Sequence, residues 1–324
     1  MRDSVSIIIP AYQSAATIRY ALASVAAQTV KPLEAIVIDD GSSDGSTDIA
    51  EAMRGEMNGI DLVVIRQTNK GAGAARNAGC RIAKGEWLAF LDADDAWLPE
   101  KLERSLAHAE GASLIAHDFI EVKGSAETYR DSTRHFKAAA DPFAALMLRG
   151  FIPTSTVLAK RQDVLEVGGF EESLPAAQDY DLWLKLLERP GTRLRMFPEA
   201  LTRYAVNPGG ITSQVERRLD CSLRVLERHV ESLRHNVERI VFLRILIVHY
   251  EAFSAYLSQG RWGQALLVLA KTPARLVSAL IPAQFWMMSA LAWMAFVMGF
   301  YYFDNAGYYK EKLGMFLSYF LKLS

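Results

Sequence analysis

The chain has 324 residues, of which 51% are hydrophobic and 23% charged, enough for one ordinary core with residues left for a second unit. A net charge of -1 and a pI near 6.6 show no basic excess, which argues against a protein that tracks nucleic-acid phosphates. Six His and two Cys follow no metal-ligand spacing, so Cys80 and Cys221 read as reduced thiols of a cytosolic compartment.

Ser4 to Ile9 is β-branched and apolar, and no charged and apolar leader precedes it, so no secretory signal is expected. Ala15 to Gln28 then carries an Ala/Leu/Val pattern of helical period. Glu34 to Asp39 repeats the strand pattern and opens into Asp40 to Asp48, a run of turn and cap residues before another helix. Leu62 to Ile65 is a third short strand, and Asn69 to Gly73 leads into a small-residue helix from Ala74 to Ala83. Residues 87 to 91 are apolar, uncharged and too short for a helix, as expected of a strand covered on both faces. Strands alternating with helices predict an α/β fold: a mostly parallel sheet with flanking helices, whose loops gather along one edge.

That fourth strand runs into Asp92, Asp94 and Asp95. Carboxylates this close are costly to hold together unless a cation neutralises them, and hard oxygen ligands suit Mn²⁺ or Mg²⁺ holding a diphosphate. The plainer alternative is a turn capping the helix that Pro99 starts, with Asp95 solvated. Gly71 to Arg76 nearly matches a dinucleotide fingerprint, but Arg76 stands where the third glycine belongs and the motif does not open the domain.

From residue 112 the pattern mixes: a strand at Ser113 to Ile120, a polar span at Glu121 to Arg134, a helix near Pro142 to Leu148, a short strand around Thr154 to Ala159, and a tight turn at Gly168-Gly169. Gln178 to Glu188 is a clear amphipathic helix. Asp179 lies three and four residues before Leu182 and Trp183, on the apolar face, and is expected to point inward as a proton acceptor supported by the helix dipole. Asp181 precedes Lys185 by four, the spacing of an exposed ion pair.

In that order, Ser-Ile-Ile-Ile-Pro-Ala-Tyr, Val-Ile-Asp-Asp-Gly-Ser-Ser-Asp, Asn-Lys-Gly-Ala-Gly-Ala-Ala-Arg-Asn, Phe-Leu-Asp-Ala-Asp-Asp and Gln-Asp-Tyr-Asp-Leu-Trp resemble the motifs of family 2 inverting glycosyltransferases of the GT-A fold, over residues 4 to about 207. The resemblance implies a Rossmann-like nucleotide-binding domain over residues 1–212 and a metal-dependent transfer from a nucleotide-sugar donor to a glycan or lipid-linked acceptor. It places Pro10, Ala11 and Tyr12 beside the base, Asp40 as acceptor from the base ring, and Lys70 and Arg76 near the nucleotide and its phosphates. Asp94 is implied as the direct metal ligand, Asp92 as facing ribose or metal, and Asp179 as the catalytic base. Gln178 stands where many members have Glu, and Asn207 where many have a His near metal or diphosphate. A nucleotidyltransferase and a non-catalytic membrane scaffold or carbohydrate-binding module are the competing readings.

Residues 213–324 read as an α-helical C-terminal region: a charged amphipathic stretch through Arg234, an apolar helix from Ile240 to Leu257, and a glycine turn at 260–263 leading to Gln264 to Ala270. One such pair establishes no repeat array. Ala283 to Phe303 has 21 residues without a formal charge and aromatic residues at both ends, just long enough for a hydrocarbon core of about 30 Å. The expectation is membrane contact through residues 240–324, peripheral or as a single span, with the N-terminal domain at the cytoplasmic face.

Overall fold

The computed structural model describes residues 3–137, 139–149, 151–207 and 214–279. Four strands, β1 (Val5–Ala11), β2 (Glu34–Asp39), β3 (Asp61–Arg66) and β4 (Trp87–Phe90), lie parallel in the order β3-β2-β1-β4. Helices α1 (Ile18–Ala26), α2 (Ser46–Ala52) and α3 (Ala72–Ile82) connect them. Alternation along the strands builds two cores, one on each face of the sheet. Ile7, Ile9, Val37 and Ala89 pack with Leu22 and Val25 of α1, while Ile8, Ile36, Ile38, Leu88 and Phe90 pack with Ala75 and Cys80 of α3. Truncating a side chain as buried as Ile8 to Ala costs about 2–5 kcal/mol. Gly79 lets α3 approach β1, because a Cβ there would lie 2.8 Å from Ile8 Cγ2.

The second half adds β5 (Ala96–Trp97), α4 (Lys101–Leu106), β6 (Leu114–Lys123), β7 (Ala126–Arg130), α5 (Pro142–Arg149), β8 (Leu158–Lys160), α6 (Arg161–Glu166), α7 (Gln178–Glu188) and β9 (Leu194–Ala205). The sheet continues β4-β8-β6-β9-β5, with β7 paired to β6. Here it is mixed: β8 is antiparallel to both neighbours, β9 runs parallel to β6, and β5 is antiparallel to β9. The expected parallel arrangement therefore holds for the first four strands; of the antiparallel pairs in the second half, β6–β7 is a direct hairpin return. The span read as polar from Glu121 to Arg134 contains the exposed β6–β7 hairpin. Pro198, which has no amide proton to give a ladder, lies where the β6–β9 register shifts.

Helices α8 (Val215–His229), α9 (Val237–Ser258) and α10 (Trp262–Ala279) form the described part of the C-terminal region. Ile240, Val241, Ile245 and Val248 of α9 share one apolar cluster with Trp183 of α7, so these helices extend the core of the sheet domain. Helix α9 is long and apolar enough to cross a membrane, but 56% of its most apolar window is buried. The stretch 283–303 lies outside the described residues.

Candidate active site

The loops that follow β1 and β2 are stitched together by side chains accepting backbone protons. Gln13 N donates to Ser42 Oγ (2.9 Å), Ser14 N to Ser46 Oγ (2.8 Å) and Ala15 N to Asp44 Oδ2 (2.9 Å). Buried Asp40 accepts from Gln67 Nε2 (2.8 Å), Lys70 N (2.9 Å) and Gly71 N (2.8 Å), tying the entry of α3 to the end of β2. Along this edge Pro10 is half-buried, Ala11 buried, and the Tyr12 and Lys70 side chains are exposed.

The acidic loop after β4 treats its three carboxylates differently. Asp92 Oδ1 accepts from Arg76 Nη2 at 2.6 Å. Asp94 is exposed as a residue, yet its hemmed-in carboxyl and the Asp92 charge push its pKa up, against a 2.7 Å hydrogen bond from Asn207 Nδ2. Asp95 is buried, not solvated, and burial plus the Asp92 and Asp94 charges hold its pKa well above the usual carboxylate range. Ser155 organises this loop. Its Oγ accepts from Asp92 N (3.0 Å) and donates to Asp95 (2.5 Å), while its carbonyl accepts from Trp97 Nε1 (2.7 Å) and Thr202 Oγ1 (3.1 Å).

Arg76 is the side chain the glycine-rich reading could not accommodate, and it joins two parts of the site. It is 7% exposed, lies 5.3 Å over the Phe170 ring, and reaches Asp92 with one nitrogen and Gln178 Oε1 (3.3 Å) with another. One residue on, Asp179 Oδ2 accepts from Thr154 Oγ1 at 2.9 Å. Burial raises the Asp179 pKa, opposed by the Arg76 charge and the Thr154 bond. Asp179 thus faces the acidic loop without an ion-pair partner within 4 Å among the described residues.

Asp181 departs from the expectation of an exposed pair. Lys185 Nζ does lie 2.8 Å away, outside hydrogen-bond angles, but Asp181 is fully buried. Arg228 Nη1 (3.0 Å) and His229 Nε2 (3.1 Å) of α8 close over it, and His229 Nδ1 meets Glu188 Oε1 at 2.7 Å. The helical period left this face to solvent, and α8 covers it. Sequence reasoning also missed Thr154 and Ser155, ordinary hydroxyls in a loop, and gave Tyr204 no role. Burial and the charges of Asp95, Asp92, Asp179 and Asp94 all raise the Tyr204 pKa.

No three His, Cys, Asp or Glu among the described residues converge as a protein-only metal cage. A hard divalent cation needs only one or two carboxylates when a diphosphate and water complete its shell. Asp94, whose side-chain hydrogen-bond donor among the described residues is the neutral Asn207 amide, fits that requirement, with Asp92, paired to Arg76, two residues before it. The lowered proton affinity that a cation would bring suits a carboxyl whose pKa is otherwise pushed up.

A curled, mixed sheet with an Asp-x-Asp loop and a facing carboxylate at its edge defines a GT-A-type α/β protein. Residues 6–163 match the family described as Glycosyl transferase family 2. The chain is 30% identical over 218 residues to the amylovoran biosynthesis glycosyltransferase AmsB of Erwinia amylovora, covering 63% of this chain and 70% of that one. An uncharacterized glycosyltransferase of Haemophilus influenzae is 32% identical over 203 residues, 61% of this chain and 66% of its own length. One from Rickettsia felis is 34% identical over 192 residues, which are 56% of this chain but 31% of that protein. The chain belongs to glycosyl transferase family 2. The fold matches S. aureus TarS 1-349 in complex with UDP-GlcNAc, with a TM-score of 0.64 at 20% identity over 91% of this chain and 92% of that one. It also matches the mannosyltransferase PcManGT of Pyrobaculum calidifontis, in complex with GDP-Man and Mn²⁺, at 0.60 and 18% over 93% and 81%.

Proposed function

We propose that the protein is a metal-dependent inverting glycosyltransferase that moves a sugar from a UDP-sugar to an acceptor hydroxyl in polysaccharide, glycolipid or cell-envelope assembly, at the cytoplasmic face of the membrane. The observation that carries the reading is the division of labour among carboxylates: Asp92 and Asp94 on one loop, and Asp179 facing them, held by Thr154 at 2.9 Å. The nucleotide-sugar and Mn²⁺ complexes of fold neighbours and the likeness to AmsB support it.

In this reading Pro10, Ala11 and Tyr12 flank the base, Asp40 sets the loop against which it rests, and Lys70 and Arg76 attend the diphosphate. Asp94, with Asp92, would hold Mn²⁺ or Mg²⁺, which when bound supplies charge for the departing diphosphate. Asp179 takes the acceptor proton as the hydroxyl attacks, and a single displacement with inversion needs one such base. Thr154 orients that carboxylate. Arg76 links Asp92 to Gln178, so donor binding at the acidic loop is felt at the start of α7.

The test is calorimetry of UDP with and without Mn²⁺ on the wild type and on Asp94→Asn. The variant loses the Mn²⁺-dependent part of the affinity; unchanged affinity overturns the assignment. Product analysis separates the nearest rival, because a nucleotidyltransferase releases pyrophosphate where a glycosyltransferase releases UDP.

A further inference from the structure

Thr154 and Ser155 are neighbours in the chain, and each holds a different half of the candidate site. Thr154 Oγ1 donates to Asp179 Oδ2 (2.9 Å), whereas Ser155 Oγ accepts from Asp92 N (3.0 Å) and donates to Asp95 Oδ2 (2.5 Å). Adjacent Cα atoms lie about 3.8 Å apart, so the carboxylate read as the base and the loop that carries Asp92 and Asp94 share one short anchor.

That anchor is fixed by bonds that do not involve the Ser155 hydroxyl. Thr154–Thr156 is a single tight turn, in which Thr156 N donates to the Pro153 carbonyl (3.0 Å) and Val157 N to that of Thr154 (3.1 Å). The Ser155 carbonyl accepts from Trp97 Nε1 (2.7 Å) and Thr202 Oγ1 (3.1 Å), and Trp183 Nε1 of α7 donates to the Ile152 carbonyl at 3.2 Å. The backbone of the turn is therefore held by β5, β9 and α7, and both bonds of the Ser155 hydroxyl go to the acidic loop.

Asp95 completes the arrangement. Its Oδ1 accepts from Ala205 N (2.8 Å) at the end of β9 and its Oδ2 from Ser155 Oγ, so both oxygens face protein donors inside the fold. Asp94, one residue earlier, is exposed. Of the three acids in the loop, Asp95 is the one placed to brace the turn against β9.

We propose, resting on the transferase reading above, that Ser155 is a positioning residue and Asp95 its brace. Together they set Asp92 and Asp94 opposite Asp179 before a cation or donor arrives, and neither touches the cation. Groups held in place beforehand need no reorganisation when the donor binds, and the residues behind the ligands supply that order.

Amide hydrogen exchange on the full chain reads the loop directly. In the metal-free wild type the peptide spanning residues 91–97 is protected, and adding UDP and Mn²⁺ changes its rate little. In Ser155→Ala the same peptide exchanges about 10-fold faster, the scale of one hydrogen bond, while β1 and β2 keep their rates. Calorimetry of UDP with and without Mn²⁺ then separates positioning from ligation. Ser155→Ala weakens the Mn²⁺-dependent part of the affinity about 10-fold, a loss that metal-free UDP affinity does not share. Asp95→Asn keeps an oxygen for one partner and offers an amide to Ser155 Oγ, so it retains most of the Mn²⁺-dependent affinity that Asp94→Asn loses. A wild-type loop that exchanges freely without metal and is protected only by UDP and Mn²⁺ overturns the proposal, whether or not the variants fold. So does a Ser155→Ala protein with wild-type exchange, and an Asp95→Asn protein that falls as far as Asp94→Asn makes Asp95 a ligand and removes its role as brace. A wild type whose UDP affinity ignores Mn²⁺ defeats the transferase reading instead, and exchange of residues 91–97 in wild type and Ser155→Ala still decides the anchor.

Discussion

Asp179 is an acid that the fold makes reluctant to ionise, because burial outweighs the Arg76 charge and the Thr154 hydrogen bond. Its pKa lies above the usual 3.8, so the folded state binds that proton more tightly than the unfolded chain does, and ionised Asp179 costs stability as pH rises through its folded value. Asp179→Asn keeps an oxygen for Thr154 Oγ1 and removes that cost. The variant is expected to lose transfer by at least about 10², the usual scale for a general base, while UDP affinity and thermal midpoint at neutral pH do not fall. In the wild type, transfer falls as pH drops through the raised Asp179 value, and in the variant this acid limb disappears. A variant that transfers normally, or that melts well below wild type, removes the assignment of the base. The inward face of Asp179 was legible from its spacing to Leu182 and Trp183. Its partner Thr154 was not, because a hydroxyl 25 residues upstream carries no local signal.

At the scale of elements, α7 is held from behind by α8. Burial opposes ionisation of Asp181, but the hydrogen bond from His229 and the adjacent Lys185 and Arg228 charges win, and its pKa falls below 3.8. Burial likewise pulls His229 down, but Asp181 and Glu188 carry it above 6.5. The Asp181 contribution is therefore present above about pH 4 and lost on acidification. That of His229 is complete below about pH 6.5 and lost as pH rises through the folded value. Denaturation of Asp181→Ala should show a loss of about 3 kcal/mol, the cost of breaking a buried charge network, where an exposed pair would cost at most about 1. His229→Gln should flatten the fall in stability on the alkaline side; identical pH profiles for variant and wild type would remove the network's role. The strands and helices of the first half were readable because continuous apolar runs and helical periods are local. Strands β5, β7 and β9 were not, since two residues, an exposed hairpin arm and a strand interrupted at Pro198 owe their pairing to β6 and to one another. The same holds for Asp181, whose partner His229 is 48 residues away.

For the whole molecule, membrane contact turns on which apolar helix is free to leave the fold. Helix α9 passes the test of length and composition, yet Arg244 within it is 3% exposed, donates to the Arg149 carbonyl at 3.1 Å and lies 4.9 Å over the Tyr180 ring. Extracting α9 into lipid would strip this cation of its partners and open the core around Trp183, so α9 belongs to the body of the fold. Helix α10 differs, for Trp262, Leu266 and Leu267 are 61%, 63% and 58% exposed on a helix that precedes the uncharged stretch 283–303 in the sequence. An amphipathic face ending in such a stretch suits attachment to a bilayer surface, with Trp at the interface. Removing residues 280–324 should release the protein into the soluble fraction and leave UDP affinity and melting of the sheet domain unchanged, because every site carboxylate and its partners lie before residue 208. Fractionation of both chains at low and high salt decides it. A full-length chain that stays soluble under both conditions refutes membrane attachment, and a truncated chain that still sediments with membranes transfers the contact to the exposed face of α10, where Trp262→Gln with Leu266→Gln should then release it.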